Sequence, residues 1–304
     1  MLSVLIPTYN YNLFSLVLAL HNQLEKTGIV FEIICLDDAS KTIFLENEKI
    51  NSLSKSNYKK LETNIGRSKI RNLLANKATY DWLLFLDADV LPKSNDFISK
   101  YIKHINSEEK IVYGGILYSN DKPEKSKLLR WVYGKNREAL PHIEREKNEY
   151  LSFLTLNFLI SKSIFDKVSF NESIPNFRHE DTLFSYNLMQ KNITIKHINN
   201  PVFHLGIDYF QEALKKEHES LLALKYLIDH QLVNPDYLKI SRLFFKIKEC
   251  KLLFIFVYFH KITHYIFLKN LSSCYPSLLI FDLYRLGYLC SLEYNSKFIK
   301  PQNS

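Results

Sequence analysis

The chain has 304 residues, enough for one large or two modest domains at about 100–200 residues each. Hydrophobic residues are 46% and charged residues 24%, which excludes a disordered chain. A formal charge of +8 with 14% aromatics admits a nucleic acid, a membrane surface or a phosphorylated ligand as partner, without choosing among them.

In chain order, LSVLI (2–6) predicts a strand ended by Pro7, and FSLVLALHNQLEK (14–26) has helical spacing. FEIICL (31–36) predicts a second strand, ended by Asp37–Asp38. KTIFLENEKINSLS (41–54) can form a helix, and YKKLE (58–62) is a weaker strand. IGRSKIRNLLANKA (65–78) reads as a helix, WLLFL (82–86) as a buried strand. Strands alternating with amphipathic helices imply βαβ units and an α/β, mostly parallel, Rossmann-like sheet flanked by helices. Further on, KIVYGGILYS (110–119) predicts a strand kinked at Gly114–Gly115, and SKLLRWVYGKNREAL (126–140) a helix. TLNFLIS (155–161) and TIKHI (194–198) predict strands, SIFDKV (163–168) and HEDTLFSYNLMQK (179–191) helices. Beyond 207 the pattern is helical, over 208–233, 236–249, 250–269 and 276–292. The expected division is a catalytic domain over 1–206 and a helical region over 207–304.

In open sheets of this kind ligands sit beyond the carboxyl ends of the strands. That rule points to Pro7–Asn10, Asp37–Asp38 and Asp87–Asp89. In FLDADVLP (85–92), Asp87 and Asp89 lie two apart after a buried strand. In extended backbone such a pair faces one side and can hold a hard cation together with substrate phosphates. The bland reading is a solvated turn capping the next helix. Asp37–Asp38 has the same two readings, with Ser40 as the cap in the bland one. In HED (179–181), acidic residues in a helix's first turn are also favoured simply by the helix dipole.

Five segments in order, LSVLIPTYN (2–10), ICLDDAS (34–40), NIGRSKIRN (64–72), FLDADVLP (85–92) and FRHEDTLFSYNLMQKNITIKHI (177–198), resemble the family 2 glycosyltransferases of GT-A fold. The match departs from the common form at Ala39, usually Gly, and at Ile70-Arg71-Asn72-Leu73-Leu74. The resemblance implies an inverting transferase using a nucleotide-sugar donor, a UDP-sugar, and a divalent metal, Mn or Mg. It implies that Pro7, Tyr9 and Asn10 line the base and ribose pocket. Asp38, with Asp37 as the lesser partner, meets the base edge. Asn64, Gly66 and Arg71 border the donor, with Arg71 near phosphate or holding the aspartate rim. Asp89 is the direct metal ligand, while Asp87 serves metal, diphosphate and ribose. Glu180-Asp181 matches the general base, Asp181 being the favoured residue. His204 matches a position that completes the metal site in relatives, although a lone His is more often an ordinary hydrogen-bonded residue. Trp131 and Tyr133 suit either sugar stacking or core packing.

The four cysteines form no C-x-x-C pair, which argues against a zinc ribbon or thioredoxin-type site. The N-terminus has no charged n-region or long apolar h-region, so no signal peptide is expected, and the expected compartment is reducing and cytoplasmic. Residues 239–269 carry seven Lys or Arg against Glu249 alone, with eight Phe or Tyr. This mixture suits a peripheral position on an anionic inner membrane face, where a glycan or lipid-linked glycan acceptor would reside, or a helical cap on the catalytic domain or a second subunit of a homo-oligomer. Two other classes stay open. A sugar nucleotidyltransferase would need a Gly-rich basic loop that LIPTYNYN lacks. A non-enzymatic basic binding protein leaves the acidic rim unexplained, and no nucleic-acid motif is present.

Overall fold

The computed structural model describes residues 1–105, 111–174 and 178–298. Lys110 and Phe177, which open two of the segments above, lie outside them. The elements run β1 (Leu2–Thr8), α1 (Phe14–Glu25), β2 (Phe31–Asp37), α2 (Leu45–Glu48), β3 (Ser56–Lys60), α3 (Arg67–Lys77), β4 (Trp82–Leu86), β5 (Val90–Pro92) and α4 (Phe97–Ile102). Then follow β6 (Ile111–Tyr113), β7 (Ile116–Leu117), α5 (Leu128–Tyr133), α6 (His142–Glu146), β8 (Asn157–Ser161), α7 (Lys162–Val168) and α8 (Glu180–Gln190). The chain continues through β9 (Lys196–His197), β10 (Val202–His204), α9 (Phe210–Asp229), α10 (Lys239–Glu249), α11 (Leu253–Leu271) and α12 (Leu278–Phe298). Two compact units result. One comprises Met1–Ser119, Arg137–Asn176 and Glu180–Gly206, the other Asn120–Asn136, Phe177–His179 and Ile207–Ser304.

The first unit is the α/β body. Its seven-stranded sheet has the order β3-β2-β1-β4-β8-β6-β9, parallel from β3 to β4 and between β6 and β9, with β8 antiparallel to both neighbours. β1 is central yet contains Pro7, which cannot donate a ladder hydrogen bond. The register explains this: β4 pairs only with Ser3–Leu5, so Pro7 stands past the end of that ladder. Phe85, Phe158, Phe165, Phe170 and Phe184 fill the core, with Phe85 and Phe158 stacked at 5.0 Å. Such rings contribute about 1.5–3 kcal/mol each on full burial.

The helix expected over 41–54 shrinks to α2 and a 3-10 turn at Lys49–Ser52. The backbone N–H groups of Lys41 and Thr42 donate instead to Asn10 Oδ1, at 2.8 and 3.1 Å, so this stretch serves as a loop. The strand over 110–119 is broken into β6 and β7 by Gly114–Gly115. The buried Arg145 guanidinium donates to Gly114 O at 3.2 Å and Ile198 O at 2.8 Å there. A second sheet of order β5-β10-β7 was not legible in the periodicity, because its strands are only two or three residues long.

The second unit is helical. Leu129 of α5 packs with Phe267 and Leu271 of α11 and with Phe281 and Tyr284 of α12. This cluster favours core packing for the 126–140 segment; the ring of Tyr133 lies edge-on to Phe281 at 5.7 Å. A second cluster joins Leu221 of α9, Phe244 and Ile247 of α10, Leu253 of α11, and Leu286, Leu289 and Cys290 of α12.

Candidate functional site

The carboxyl ends of β1 and β2 carry a loop cluster organised by aspartate. Asp37 Oδ1 accepts from Ser40 N at 2.7 Å and its Oδ2 from the Tyr58 hydroxyl at 2.7 Å. Asp38 Oδ1 accepts from Ile65 N at 2.7 Å and Oδ2 from Gly66 N at 2.9 Å, while Asn64 Nδ2 donates to Asp38 O at 2.9 Å. Both side chains are buried and tie the loops of this cluster together. Each carboxylate oxygen has a second lone pair, so Asp38 retains capacity for one more donor. Gly66 closes this loop at φ 86, opening α3. Ala39 takes φ 59, the left-handed region that favours glycine, which supplies a physical reason for the Gly common at this place in the resembling family. Asn10, at φ 52, tolerates the same region and ties the 41–42 loop to β1, and its own N donates to Ser40 Oγ at 2.7 Å. Pro7 is half-buried, and Tyr9, two residues on, is 46% exposed.

At the end of β4 the two aspartates part company. Ala88–Asp89 form a turn instead of the extended backbone expected from the sequence, so the one-face argument for the pair does not hold. Asp87 accepts from Arg71 Nη2 at 2.8 Å. The same guanidinium reaches Glu180 Oε1 at 3.4 Å through Nη1, and its carbon lies 5.5 Å from the centre of the Phe170 ring. Burial works against the Arg71 charge, but Asp87 and Glu180 outweigh it and hold its pKa above the ordinary value. Arg67 stands 3.7 Å from the same Glu180 oxygen. Three elements, α3, β4 and α8, are thereby joined by one arginine.

Asp89 faces β10. The antiparallel register puts His204 opposite Val90, Leu205 N donates to Asp89 O at 2.8 Å, and His204 Nε2 lies 3.4 Å from Asp89 Oδ2. His204 Nδ1 is buried without a hydrogen-bond partner. The Tyr118 ring lies 5.5 Å from the imidazole, centre to centre. Gly206 closes the group: a Cβ there would stand 2.5 Å from Asp89 Oδ2. Burial and then the Asp89 charge raise the Tyr11 hydroxyl's pKa, placing Tyr11 in the same field.

Asp181 lies in the first turn of α8, its Oδ1 accepting from Thr182 N at 2.7 Å. Burial, then the neighbouring Glu180 charge, push its carboxyl up to about 6, against the pull of Arg71 and Arg67. A carboxylate of that basicity accepts a proton near neutral pH.

Among the described residues no three His, Cys, Asp or Glu side chains form a cation site by themselves. Asp89 and His204 nevertheless fit a divalent ion that takes its other ligands from substrate oxygens: one carboxylate, and one imidazole whose Nδ1 has no competing protein partner. The residues expected from the sequence thus fall into a loop cluster (Asn10, Asp37, Asp38, Asn64, Gly66), an arginine-centred trio (Arg71, Asp87, Glu180) with Asp181 next to it, and the Asp89–His204 pair. Sequence reasoning missed Tyr11, Tyr58 and Tyr118. Phenols within apolar or mixed stretches carry no spacing signal. Gly206, two residues after His204, carried no such signal either.

Comparison with known proteins bears on the family of the chain. A chondroitin synthase of Pasteurella multocida (strain Pm70) is 26% identical over 259 residues; the match covers 72% of this chain and a quarter, 25%, of that protein's length. Crystal structures of S. aureus TarS 1-349 superpose with TM-scores of 0.49, at 17% identity over 99% of this chain and 93% of that one, and, for a complex with UDP-GlcNAc, at 19% over 73% and 65%. The model of Glycosyl transferase family 2 matches residues 3–171, more than half of the chain and the stretch that carries Asp38, Arg71, Asp87 and Asp89, and the chain belongs to that family.

Proposed function

We propose that this chain is an inverting glycosyltransferase that moves a sugar from a UDP-sugar to a hydroxyl of a glycan or lipid-linked glycan, in synthesis of a surface polysaccharide. The observation that carries the reading is the first turn of α8. There Asp181, raised to about 6, sits next to Glu180, which Arg71 links to Asp87 at the rim of β4. Family membership supports the nucleotide-sugar donor, and the chondroitin synthase relative supports a polysaccharide product.

In this reading Asp181 accepts the proton of the acceptor hydroxyl as its oxygen attacks the anomeric carbon. The bond from that carbon to the diphosphate oxygen breaks on the opposite face, which inverts the centre, and the nucleoside diphosphate leaves. Arg71 holds Asp87 and Glu180 in place and offsets the negative field around the base. Asp89 and His204 would hold a Mn or Mg ion, which when bound neutralises charge on the diphosphate. Asp38 and the 64–66 loop form the wall for the base, and Pro7, Tyr9 and Asn10 its floor. A sugar nucleotidyltransferase would leave Asp181 without a task.

The test is a panel of nucleotide sugars assayed by thermal shift with and without manganese, followed by transfer assays on Asp181→Asn. The expected result is metal-dependent stabilisation by one UDP-sugar, retained in the variant, with transfer reduced by about 10²–10⁴-fold. Wild-type turnover in Asp181→Asn would overturn the base, and no shift from any donor would overturn the reading as a whole.

A further inference from the structure

Helix α11 is apolar nearly all round, LFIFVYFHKITHYIFLKNL, without a single acidic residue. A helix of that composition is expected to be covered on every side. Among the described residues only one stripe of it is buried. Leu253, His260, Phe267 and Leu271 are buried, and they fall within one narrow sector of the helical wheel. Leu253 and Phe267 pack with side chains of α12 in separate clusters, and a Cβ on Gly287 of α12 would meet the His260 ring at 2.7 Å.

The opposite face is bare. Phe254 is 62% exposed, Tyr258 63%, Ile262 56%, Tyr265 77% and Ile266 64%, with Ile255 and Phe259 beside them. Spacings of three, four and seven place these side chains on one strip. Such a continuous apolar strip is not ordinary surface. Its edges are basic. Lys251 precedes the helix, Lys261 flanks the strip at mid-helix, and Lys269 ends it. All three are exposed. Ring-bearing Tyr258 and Tyr265 combine an apolar body with a polar tip, the pattern of residues at a lipid–water boundary.

The charge decides between occupants. A second copy packing strip to strip would bring Lys251, Lys261 and Lys269 against their own equivalents with no carboxylate on either helix. An anionic lipid surface offers the opposite charge to the same lysines, whose stems lie along the apolar strip while their amines reach the headgroups. Among the described residues no single helix is long and apolar enough to span a bilayer, and α10 with α11 passes that test only as a pair bent by 119°.

We propose that the exposed face of α11 lies in the interface of an anionic bilayer, with Phe254, Tyr258, Ile262, Tyr265 and Ile266 in the acyl boundary and Lys251, Lys261 and Lys269 at the phosphates. The inference stands apart from sugar transfer, because it needs neither donor nor catalysis. It is tested by flotation of the full chain with vesicles of equal parts phosphatidylglycerol and phosphatidylethanolamine, against vesicles of phosphatidylcholine alone. Wild type should float with the anionic vesicles and lose binding as salt is raised. Ile262→Glu with Ile266→Glu, both at exposed positions that leave the clusters intact, should weaken partitioning about a hundredfold at unchanged thermal stability. Lys251→Gln, Lys261→Gln and Lys269→Gln together should lose a similar factor on anionic vesicles only, at about fivefold per lysine. Three results overturn the proposal: no flotation of wild type, equal flotation of wild type and the isoleucine variant, or a sedimentation dimer that the isoleucine variant dissolves while vesicles bind neither form.

Discussion

Replacing Arg71 by alanine tests the joint between α3, β4 and α8. Arg71 and Glu180 have side chains only 7% and 9% exposed, and they meet at 3.4 Å. Asp87 is 33% exposed, so its 2.8 Å bond to Arg71 is partly screened and counts near the surface value of about 0–1 kcal/mol. The larger cost is Glu180, left as a buried carboxylate with only the half-exposed Arg67 at 3.7 Å. Breaking a buried pair from one side costs about 3–5 kcal/mol, and the residual partner puts this case at the lower end, about 3 kcal/mol. At about 2–4 °C per kcal/mol the melting temperature should fall by about 6–12 °C. Adding Glu180→Gln should return about half of that loss, because the orphaned charge is then gone. Arg71 also opposes the upward shift of Asp181, so its removal should move the acid limb of the transfer rate to higher pH. Differential scanning fluorimetry on the two single variants and the double variant, with pH–rate profiles, reads all of this. A loss below about 1 kcal/mol in Arg71→Ala, or a double variant as unstable as the sum of the singles, would refute the buried-pair reasoning.

Four other outcomes are expected. Transfer should fall about tenfold per pH unit below about 6, where Asp181 becomes protonated, and a rate independent of pH between 5 and 7 would remove it as the base. The sign for stability is opposite: a carboxyl raised in the folded state contributes stability present at low pH and lost as pH rises through about 6, so Asp181→Asn should be at least as stable as wild type at pH 8, checked by urea melts. Gly206→Ala puts a Cβ 2.5 Å from Asp89 Oδ2 and should weaken manganese-dependent donor binding about tenfold with little change in melting temperature, and His204→Ala should do the same, both read by titration calorimetry. Gly114→Ala meets Asn200 O, the Tyr101 hydroxyl and Asn157 Nδ2 in the core, and should cost more than about 3 kcal/mol in chemical denaturation.

Much of this protein was legible before any coordinates. The runs 2–6, 31–36 and 82–86 became β1, β2 and β4 almost to the residue, because fully buried parallel strands are the sharpest signal a sequence carries. The aspartates following β2 and β4 were legible for the same reason: polar residues that end an apolar run stand at a strand's carboxyl end. What they do there was not. Asp37 and Asp38 read either as ligand contacts or as a turn capped by Ser40; Ser40 does pair with Asp37, and Tyr58, Ile65 and Gly66 are partners that neither reading held. Such partners lie up to 28 residues away and leave no local pattern.

The sequence by itself determined the parallel sheet, the order of the acidic rim and the basic, aromatic character of the last hundred residues. These follow from local periodicity, strand burial and charge. Tertiary structure alone decided that Asp87 and Asp89 take different partners. The three-residue strands β5 and β10 are too short to show a period, yet their antiparallel register brings His204 to Asp89 across more than a hundred residues of chain. It also decided that Arg71 is the link from Asp87 to Glu180, and that one face of α11 is packed while the other is open. Contacts of that kind depend on how loops close and helices dock, which long-range packing sets and neighbouring residues do not.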